Sequence, residues 1–236
     1  MRGATGYHRT LKRGERSSMD TAERAEEISR RLAEAYPDAH IMLAYENPFQ
    51  LLVAVMLSAQ TTDVTVNKVT PELFAAYPTA EALASADQAD VERIIYRTGF
   101  FRNKAKNIIA AARMIQSEFG GEVPRTMEEL TRLPGVARKT ANIVLYNAFG
   151  ILDGIAVDTH VLRLAQRLGL SSNKDPEKVE RDLMALFPRE EWGAITYRLI
   201  DHGRAVCDAK RPACGACVLA DICPSAFSVK GWRESV

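Results

Sequence analysis

The sequence has no apolar run long enough to cross a membrane. A membrane-spanning helix needs roughly 20 consecutive apolar residues, whereas the longest strongly apolar segment, residues 49–59, is interrupted by Gln50 and Ser58. We therefore predict a buried helix there. Residues 1–19 carry five basic residues and no apolar stretch, which argues against a secretory signal. The simplest interpretation of this segment is a basic, disordered tail, and an Arg-rich transit peptide is the alternative.

The sequence also lacks the alternation of apolar and polar residues that predicts β-strands. Helix-start signals are frequent instead: Asp20 and Glu23 form a capping pair, and Asn47-Pro48 places proline at a first helical position. The 236 residues suffice for one large or two small domains. We predict an all-α fold. Its helices are expected at about 20–36, 48–59, 63–76, after 79, 87–99, 102–119, after 126, 137–148, 158–169, after 175 and 190–206.

Net charge is only +1, but the charges are segregated along the chain. The segment 93–113 holds six basic residues and no acidic one, whereas 72–92 holds five acidic residues and no basic one. Such segregation would let a near-neutral protein present a cationic face to phosphates. Two solvated helix faces of opposite sign would give the same pattern, and charge alone does not decide between them.

All four cysteines lie near the end of the chain, with the spacing C-x6-C-x2-C-x5-C. They are Cys207, Cys214, Cys217 and Cys223. This clustering predicts a metal site, and it disfavours two disulfides because the remaining chain has neither cysteines nor a secretory signal. Structural zinc sites usually pair two short C-x2–4-C elements, of which only one is present. A four-cysteine iron–sulfur cluster tolerates wider spacing, so the pattern favours iron–sulfur over zinc.

The segment L-P-G-V-A-R-K-T-A at 133–141 predicts a short helix, a Pro-Gly turn and a second helix. Free backbone N–H groups at a helix start bind phosphate, and such a contact does not distinguish one base sequence from another. An ordinary connection between helices is the alternative interpretation.

Lys139 lies in the first turn of that second helix. A cation is disfavoured there, and the adjacent Arg138 adds to the effect, so the environment favours a neutral, nucleophilic amine. The alternative is a surface lysine that binds phosphate as a charge. Asp158, in A-V-D-T-H at 156–160, is predicted either as a simple N-cap or as a carboxylate that faces Lys139 and supports the chemistry.

Four segments together resemble the endonuclease III family of helix-hairpin-helix DNA glycosylases. They are 57–63 (L-S-A-Q-T-T-D), 133–141, 156–160 and the four-cysteine segment. The resemblance covers nearly the whole chain from about Asp20 onward. It implies two helical domains: a six-helix barrel with the hairpin at 41–151, and an iron–sulfur cluster domain made of 20–40 and 152–236, with the active site in the cleft between them.

The resemblance also implies which residues act. It assigns catalysis to Lys139 and Asp158, gap filling to Gln60 and stack wedging to Phe100. The implied hairpin contacts to DNA are Gly135, Ala137 and Arg138. The implied ligands of a [4Fe–4S] cluster are Cys207, Cys214, Cys217 and Cys223.

The activity implied is that of a bifunctional DNA glycosylase/AP lyase in base excision repair. Such an enzyme removes oxidised pyrimidines through a lysine Schiff base and cleaves 3′ to the abasic site by β-elimination, without a nucleotide cofactor or a catalytic metal. The expected partner is double-stranded DNA with a damaged pyrimidine or an abasic site. We expect a cytoplasmic, nucleoid-associated monomer without membrane contact.

Base extrusion explains why filler residues are needed, because the empty gap costs a few kcal/mol. Phe100 and Phe101 offer apolar surface within the basic segment, which suits a wedge, although either could be a core residue, Phe101 more so than Phe100. The chain departs from the family pattern at Ala137, where glycine is usual, and alanine should be tolerated if its φ is helical. The loop 151–154 is one residue longer, and the N-terminal tail is unmatched.

Other functions fit less well. Adenine-mismatch glycosylases lack the lysine nucleophile and carry a catalytic glutamate where this chain has Ala54, and thymine-mismatch relatives also replace the lysine. A binding protein without catalysis would not need both Lys139 and Asp158. A ferredoxin-like electron carrier would leave the long helical body unexplained.

Overall fold

The computed structural model describes residues 19–236, so the basic tail predicted for 1–19 lies, apart from Met19, outside the described residues. Within 19–236 the chain forms eleven α-helices and no β-strand, which confirms the all-α prediction. The helices are α1 Thr21–Ala35, α2 Pro48–Leu57, α3 Asp63–Ala76, α4 Ala80–Ala84, α5 Gln88–Ile95, α6 Phe101–Glu118, α7 Met127–Arg132, α8 Arg138–Phe149, α9 Thr159–Arg167, α10 Pro176–Leu186 and α11 Trp192–Ala205. None of the helices in this described part is long and apolar enough to span a membrane.

The helix starts follow from local capping chemistry. Asp20 accepts a hydrogen bond from the backbone N–H of Glu23 at 2.9 Å, and the Glu23 carboxylate accepts one from the Asp20 N–H at 3.2 Å. Asn47 accepts from the N–H of Gln50 at 2.9 Å, ahead of the proline that opens α2. These bonds satisfy donors that a helix start otherwise leaves without partners, and the predicted capping pair at α1 is confirmed.

The described residues divide into two compact units. The hairpin unit comprises Ala39–Asp158 and Arg189–Tyr197. The cysteine unit comprises the described residues up to Asp38, together with Thr159–Pro188 and Arg198–Val236.

The core of the hairpin unit is built around α2. Every residue from Phe49 to Leu57 is buried, as the predicted buried helix requires, and α2 contacts α3, α6 and α8. A helix that is apolar on all sides needs neighbours on all sides, so α2 holds the helices that surround it in fixed positions. The loop that follows α2 and the start of α6 are thereby anchored to one core.

The cysteine unit is tied together by α1. The guanidinium of Arg31 donates to the carboxylate of Asp221 at 2.5 and 3.0 Å and to the carbonyl of Val218 at 2.8 Å. Arg24 donates to the carbonyl of Gly169 at 3.3 Å. The C-terminal segment after α11 contains only one short 3-10 turn, Cys214–Ala216. Because it has little regular structure, side-chain contacts such as those of Arg31 fix its position.

Candidate functional site

The hairpin between α7 and α8 requires glycine at one position. Gly135 has a φ of +80°, and a Cβ built there would lie 2.9 Å from the side-chain nitrogen and 3.0 Å from the Cβ of Asn107. Left-handed backbone favours glycine, and the close approach to α6 excludes a side chain. The N–H of Val136 donates to the carbonyl of Leu133 at 3.0 Å and closes the turn.

Ala137 immediately precedes α8 with φ −99° and ψ 169°. These angles are extended and not helical, but they are allowed for any residue with a side chain. The methyl group that stands where glycine is usual therefore introduces no backbone strain. Ala137 is the N-cap residue of α8, and its side chain makes no capping hydrogen bond to the backbone N–H groups of the first turn.

Lys139 is the second residue of α8 and is half-buried, while Thr140 and Ala141 behind it are buried. Asp158 directly precedes α9, is half-buried, and follows the buried residues 155–157. Both belong to the hairpin unit. Each of the two residues thus has buried neighbours on one side along the chain, which anchor its backbone. The catalytic roles of both stay predictions.

Gln60 and Phe100 share an uncommon backbone conformation. Their φ values are +54° and +48°, in the left-handed region that residues with side chains rarely adopt. Such a conformation costs about 1–3 kcal/mol and persists only where the surroundings enforce it, often at functional sites. Phe100 is 68% exposed, so it is not a core residue, whereas Phe101 packs on the Tyr96 ring at 4.9 Å and against the core.

One cavity of about 230 Å³ joins three of the predicted DNA-contacting residues. Its lining consists of Gln60, Phe100 and Gly135 with Met56, Ala59, Asn103, Lys104 and Asn107. The structure thus brings the loop after α2, the start of α6 and the hairpin turn to the same place. The other five lining residues were not predicted from the sequence as site residues.

Lys104 is a buried lysine, 8% exposed, at the end of the first turn of α6. Its ammonium donates to the carbonyl of Leu57 at 2.9 Å, to the hydroxyl of Thr61 at 2.7 Å and to the carbonyl of Thr98 at 2.8 Å. Burial lowers its pKa to about 8. Its spacing from Ile108, four residues on, was the available signal that it lies on the buried face of the helix.

The basic segment does not form one continuous cationic face. Arg93 pairs with Glu72 at 3.0 Å and with Asp90 at 2.8 Å, and Arg102 lies 3.9 Å from Glu92. The acidic and basic segments therefore partly neutralise each other. This favours solvated helix faces of opposite charge over one cationic face that binds phosphates. Lys104 leaves the surface altogether.

The four cysteines are free thiols and line a single cavity in the cysteine unit. Burial, and then the neighbouring cysteines, raise the pKa of Cys217 to about 12 and that of Cys223 to about 11. Thiolates gathered in such an apolar place need a compensating cation, so the cavity fits an iron–sulfur group. Among the described residues no three Cys, His or carboxylate side chains are placed to share one metal ion.

Hydrogen-bond donors surround these sulfurs. Arg167 donates to the sulfur of Cys207 at 3.3 Å, and the N–H of Leu219 donates to that of Cys217 at 3.4 Å. His202 is 1% exposed, and burial lowers its pKa to about 4. Its Nε2 lies 3.4 Å from the Cys217 sulfur and its Nδ1 lies 3.0 Å from the Tyr36 hydroxyl. Donors to cluster sulfurs are a means by which proteins tune such groups.

Comparison with known proteins agrees with both the hairpin and the cysteine cavity. The model of the HhH-GPD superfamily of base excision DNA repair proteins matches residues 53–189, and that of the iron-sulfur binding domain of endonuclease III matches 207–223. Endonuclease III of Synechocystis sp. is 59% identical over 204 residues, which cover 86% of this chain and 93% of that protein. Endonuclease III of Escherichia coli strain K12 is 42% identical over 205 residues, with coverages of 87% and 96%.

Two solved structures of endonuclease III with DNA align closely with this chain. A non-covalent endonuclease III–DNA complex aligns with a TM-score of 0.85 at 43% identity and covers 89% of this chain and 98% of that chain. A trapped endonuclease III–DNA covalent intermediate, the estranged-adenine complex, aligns with the same TM-score and identity and covers 89% and 99%.

The fold, the hairpin and the cysteine cavity define a base excision DNA repair protein of the HhH-GPD superfamily. Within that superfamily the chain belongs to the endonuclease III family. It is a DNA glycosylase and AP lyase that carries an iron–sulfur cluster, as the sequence predicted.

Proposed function

We propose that this chain removes oxidised pyrimidines from double-stranded DNA and then cuts the strand, with Lys139 as nucleophile and Asp158 as its carboxylate partner. The observation that carries the proposal is the position of Lys139 in the first turn of α8, directly after the Gly135 turn. Backbone N–H groups at this helix start would hold a phosphate, which places the neighbouring sugar beside Lys139. The related protein trapped in covalent linkage with DNA supports a covalent route.

The proposed chemistry first removes the base and then cuts the strand. The neutral amine of Lys139 attacks C1′ of the extruded nucleoside, and the base departs with the electron pair of the glycosidic bond. The sugar ring opens to a Schiff base between C1′ and Lys139. Loss of a proton from C2′ then expels the 3′ phosphate, and water releases the lysine. The Asp158 carboxylate stabilises the positive charge that develops on the sugar and accepts the lysine proton.

The DNA is held open by the residues around the 230 Å³ cavity. Phe100, which is exposed and held by a left-handed backbone, would enter the base stack, and Gln60 would fill the gap left by the extruded base. Arg138 and the backbone at Gly135 and Ala137 would contact phosphates. We propose that the protein acts as a monomer on the DNA of the nucleoid.

The four cysteines, in our proposal, bind a [4Fe–4S] cluster. Structural zinc sites usually pair two short C-x2–4-C elements, whereas the cysteines that line this cavity form only one such element, and a four-cysteine cluster tolerates the wider spacing. When bound, the cluster links separate turns of the cysteine unit into one structure. It takes no part in the chemistry at Lys139.

Borohydride trapping tests the proposal. The purified protein is incubated with a thymine-glycol duplex and borohydride, beside Lys139→Gln and the control Lys68→Gln, which changes an exposed lysine of α3. We expect a covalent adduct with the unsubstituted protein and the control and none with Lys139→Gln. DNA binding without an adduct in the unsubstituted, iron-containing protein would contradict the Schiff-base mechanism and favour a protein that only binds DNA or only removes bases.

A further inference from the structure

Lys104 connects two loops that carry side chains proposed to enter the DNA. The Leu57 carbonyl lies at the end of α2, and Thr61 directly follows Gln60. The Thr98 carbonyl lies two residues before Phe100. One ammonium group therefore binds the loop of Gln60 on one side and the loop of Phe100 on the other.

The hydrogen-bonding capacity of this ammonium group is fully used. A lysine has three donors, and each has an acceptor at 2.7–2.9 Å. The Thr61 hydroxyl also donates directly to the Thr98 carbonyl. Two of the acceptors are carbonyls at the ends of helical segments, where a cation is favourable.

The same lysine is linked to Phe100 through the backbone. Its N–H donates to the Phe100 carbonyl at 3.1 Å and forms the first turn of α6. Gln60 and Phe100 have left-handed backbones, with φ of +54° and +48°, which require enforcement by their surroundings. The Lys104 network supplies bonds on both sides of this pair.

We infer that Lys104 is a positioning residue that holds the loops of Gln60 and Phe100 at one fixed separation, so that both side chains enter the duplex together when the damaged nucleotide is extruded. This inference rests on the proposed function, since it takes the DNA-filling roles of Gln60 and Phe100 as given. Without the bridge each loop would have to be ordered when DNA binds, and that ordering would weaken extrusion. Chemistry on a sugar that is already extruded would be largely unaffected.

The test is a double-mutant cycle on base extrusion. Lys104→Met, Phe100→Ala and the double variant are compared by the fluorescence of 2-aminopurine placed opposite an abasic-site analogue in a duplex, with Lys68→Met as control. We expect Lys104→Met to reduce the extrusion signal at least fivefold. Phe100→Ala should reduce this signal much less in the Lys104→Met protein than in the unsubstituted protein, because both changes disrupt the same step. A purely structural role for Lys104 predicts independent, multiplicative losses.

Single-turnover cleavage separates positioning from chemistry. Lys104→Met is expected to cleave a single-stranded abasic oligonucleotide within about twofold of the unsubstituted rate, because no partner strand has to be opened. Equal losses on single and double strands, or multiplicative losses in the cycle, would overturn the inference. If Lys104→Met does not fold, the cycle is run with Thr61→Val, which removes one acceptor of the bridge, and the same two outcomes decide. Failure of the unsubstituted protein to form the borohydride adduct would instead contradict the proposed function.

Discussion

Asn107 occupies the space that a side chain at residue 135 would need. A Cβ on Gly135 would lie 2.9 Å from the Asn107 nitrogen, and the backbone there has a φ of +80°. We expect Gly135→Ala to lower the free energy of unfolding by about 2–3 kcal/mol, from left-handed strain and overpacking together, and to weaken DNA binding. Chemical denaturation and a binding titration measure the two effects.

Gly120→Ala is the matched control for that change. Gly120 has a φ of +62° but no atom within 4 Å of its would-be Cβ, so alanine there should cost only about 1 kcal/mol through the backbone. Equal losses at both positions would mean that the contact with Asn107 contributes nothing.

The buried ammonium of Lys104 predicts a dependence of stability on pH. Burial lowers its pKa from 10.5 to about 8 in the folded protein, so between these values the unfolded chain binds more protons than the folded one. The contribution of Lys104 to stability should therefore rise as pH increases from about 8 to about 10.5, and change little below 8. Denaturation midpoints of the unsubstituted protein and Lys104→Met over this range measure the difference, and parallel curves would contradict the lowered pKa.

At the scale of single elements, helix α6 both packs apolar residues against the core and carries Lys104, and its apolar periodicity indicates only the packing. Its buried face holds apolar residues against the core and also Lys104, whose side chain turns back to α2 and to the turn before the helix. The helix can therefore transmit a fixed geometry from the buried α2 to the exposed Phe100. The exposed Phe100, which we propose as the wedge, and the buried core are therefore connected through one helix.

Helix α11 places His202 between Tyr36 and the Cys217 sulfur. The thiolate of Cys217, a cluster ligand in our proposal, can only accept a hydrogen bond. We therefore assign the proton to Nε2 of His202, so that the Tyr36 hydroxyl donates to Nδ1. Loss of a donor to a cluster sulfur disfavours the more negative, reduced cluster. We expect His202→Phe to lower the reduction potential of the iron–sulfur cluster, and Tyr36→Phe to lower it less. Voltammetry of the iron-containing proteins measures this, and an unchanged potential in His202→Phe would exclude the hydrogen bond.

At the scale of the whole molecule, the segment after α11 is stabilised differently from the hairpin unit. The hairpin unit has a continuous apolar core of buried helices, whereas the segment after α11 has one 3-10 turn and gathers its thiols around a cavity. Metal binding in such a segment contributes directly to folding.

Iron removal should therefore act on one unit first. After chelation we expect trypsin to cleave within 207–236, after Lys210, Lys230 or Arg233, while fragments that contain residues 39–158 resist for longer. Mass spectrometry of the time course identifies the order. Cleavage at equal rates in both units, or none in the C-terminal segment, would show that the cluster does not hold that segment.

Much of the molecule was predictable from the sequence because its signals are local. Capping residues, prolines and apolar periodicity act within a few residues, so the helix positions are close to those predicted, and α3 Asp63–Ala76 coincides with its prediction. The cysteine spacing and the 133–141 segment are also local patterns, and they suffice to indicate the family.

The sequence by itself determined the helices, the metal-binding segment and the residues expected to act on DNA. Only the tertiary structure decided that Lys104 is buried, that Arg93 neutralises Glu72 and Asp90, and that Asn107 closes on Gly135. These features depend on contacts between segments far apart in the chain, such as Lys104 and Leu57, 47 residues away. A lysine in a sequence is compatible both with an exposed charge and with a buried ammonium group that joins two loops. The hydrogen-bond acceptors that the fold places around it decide between the two.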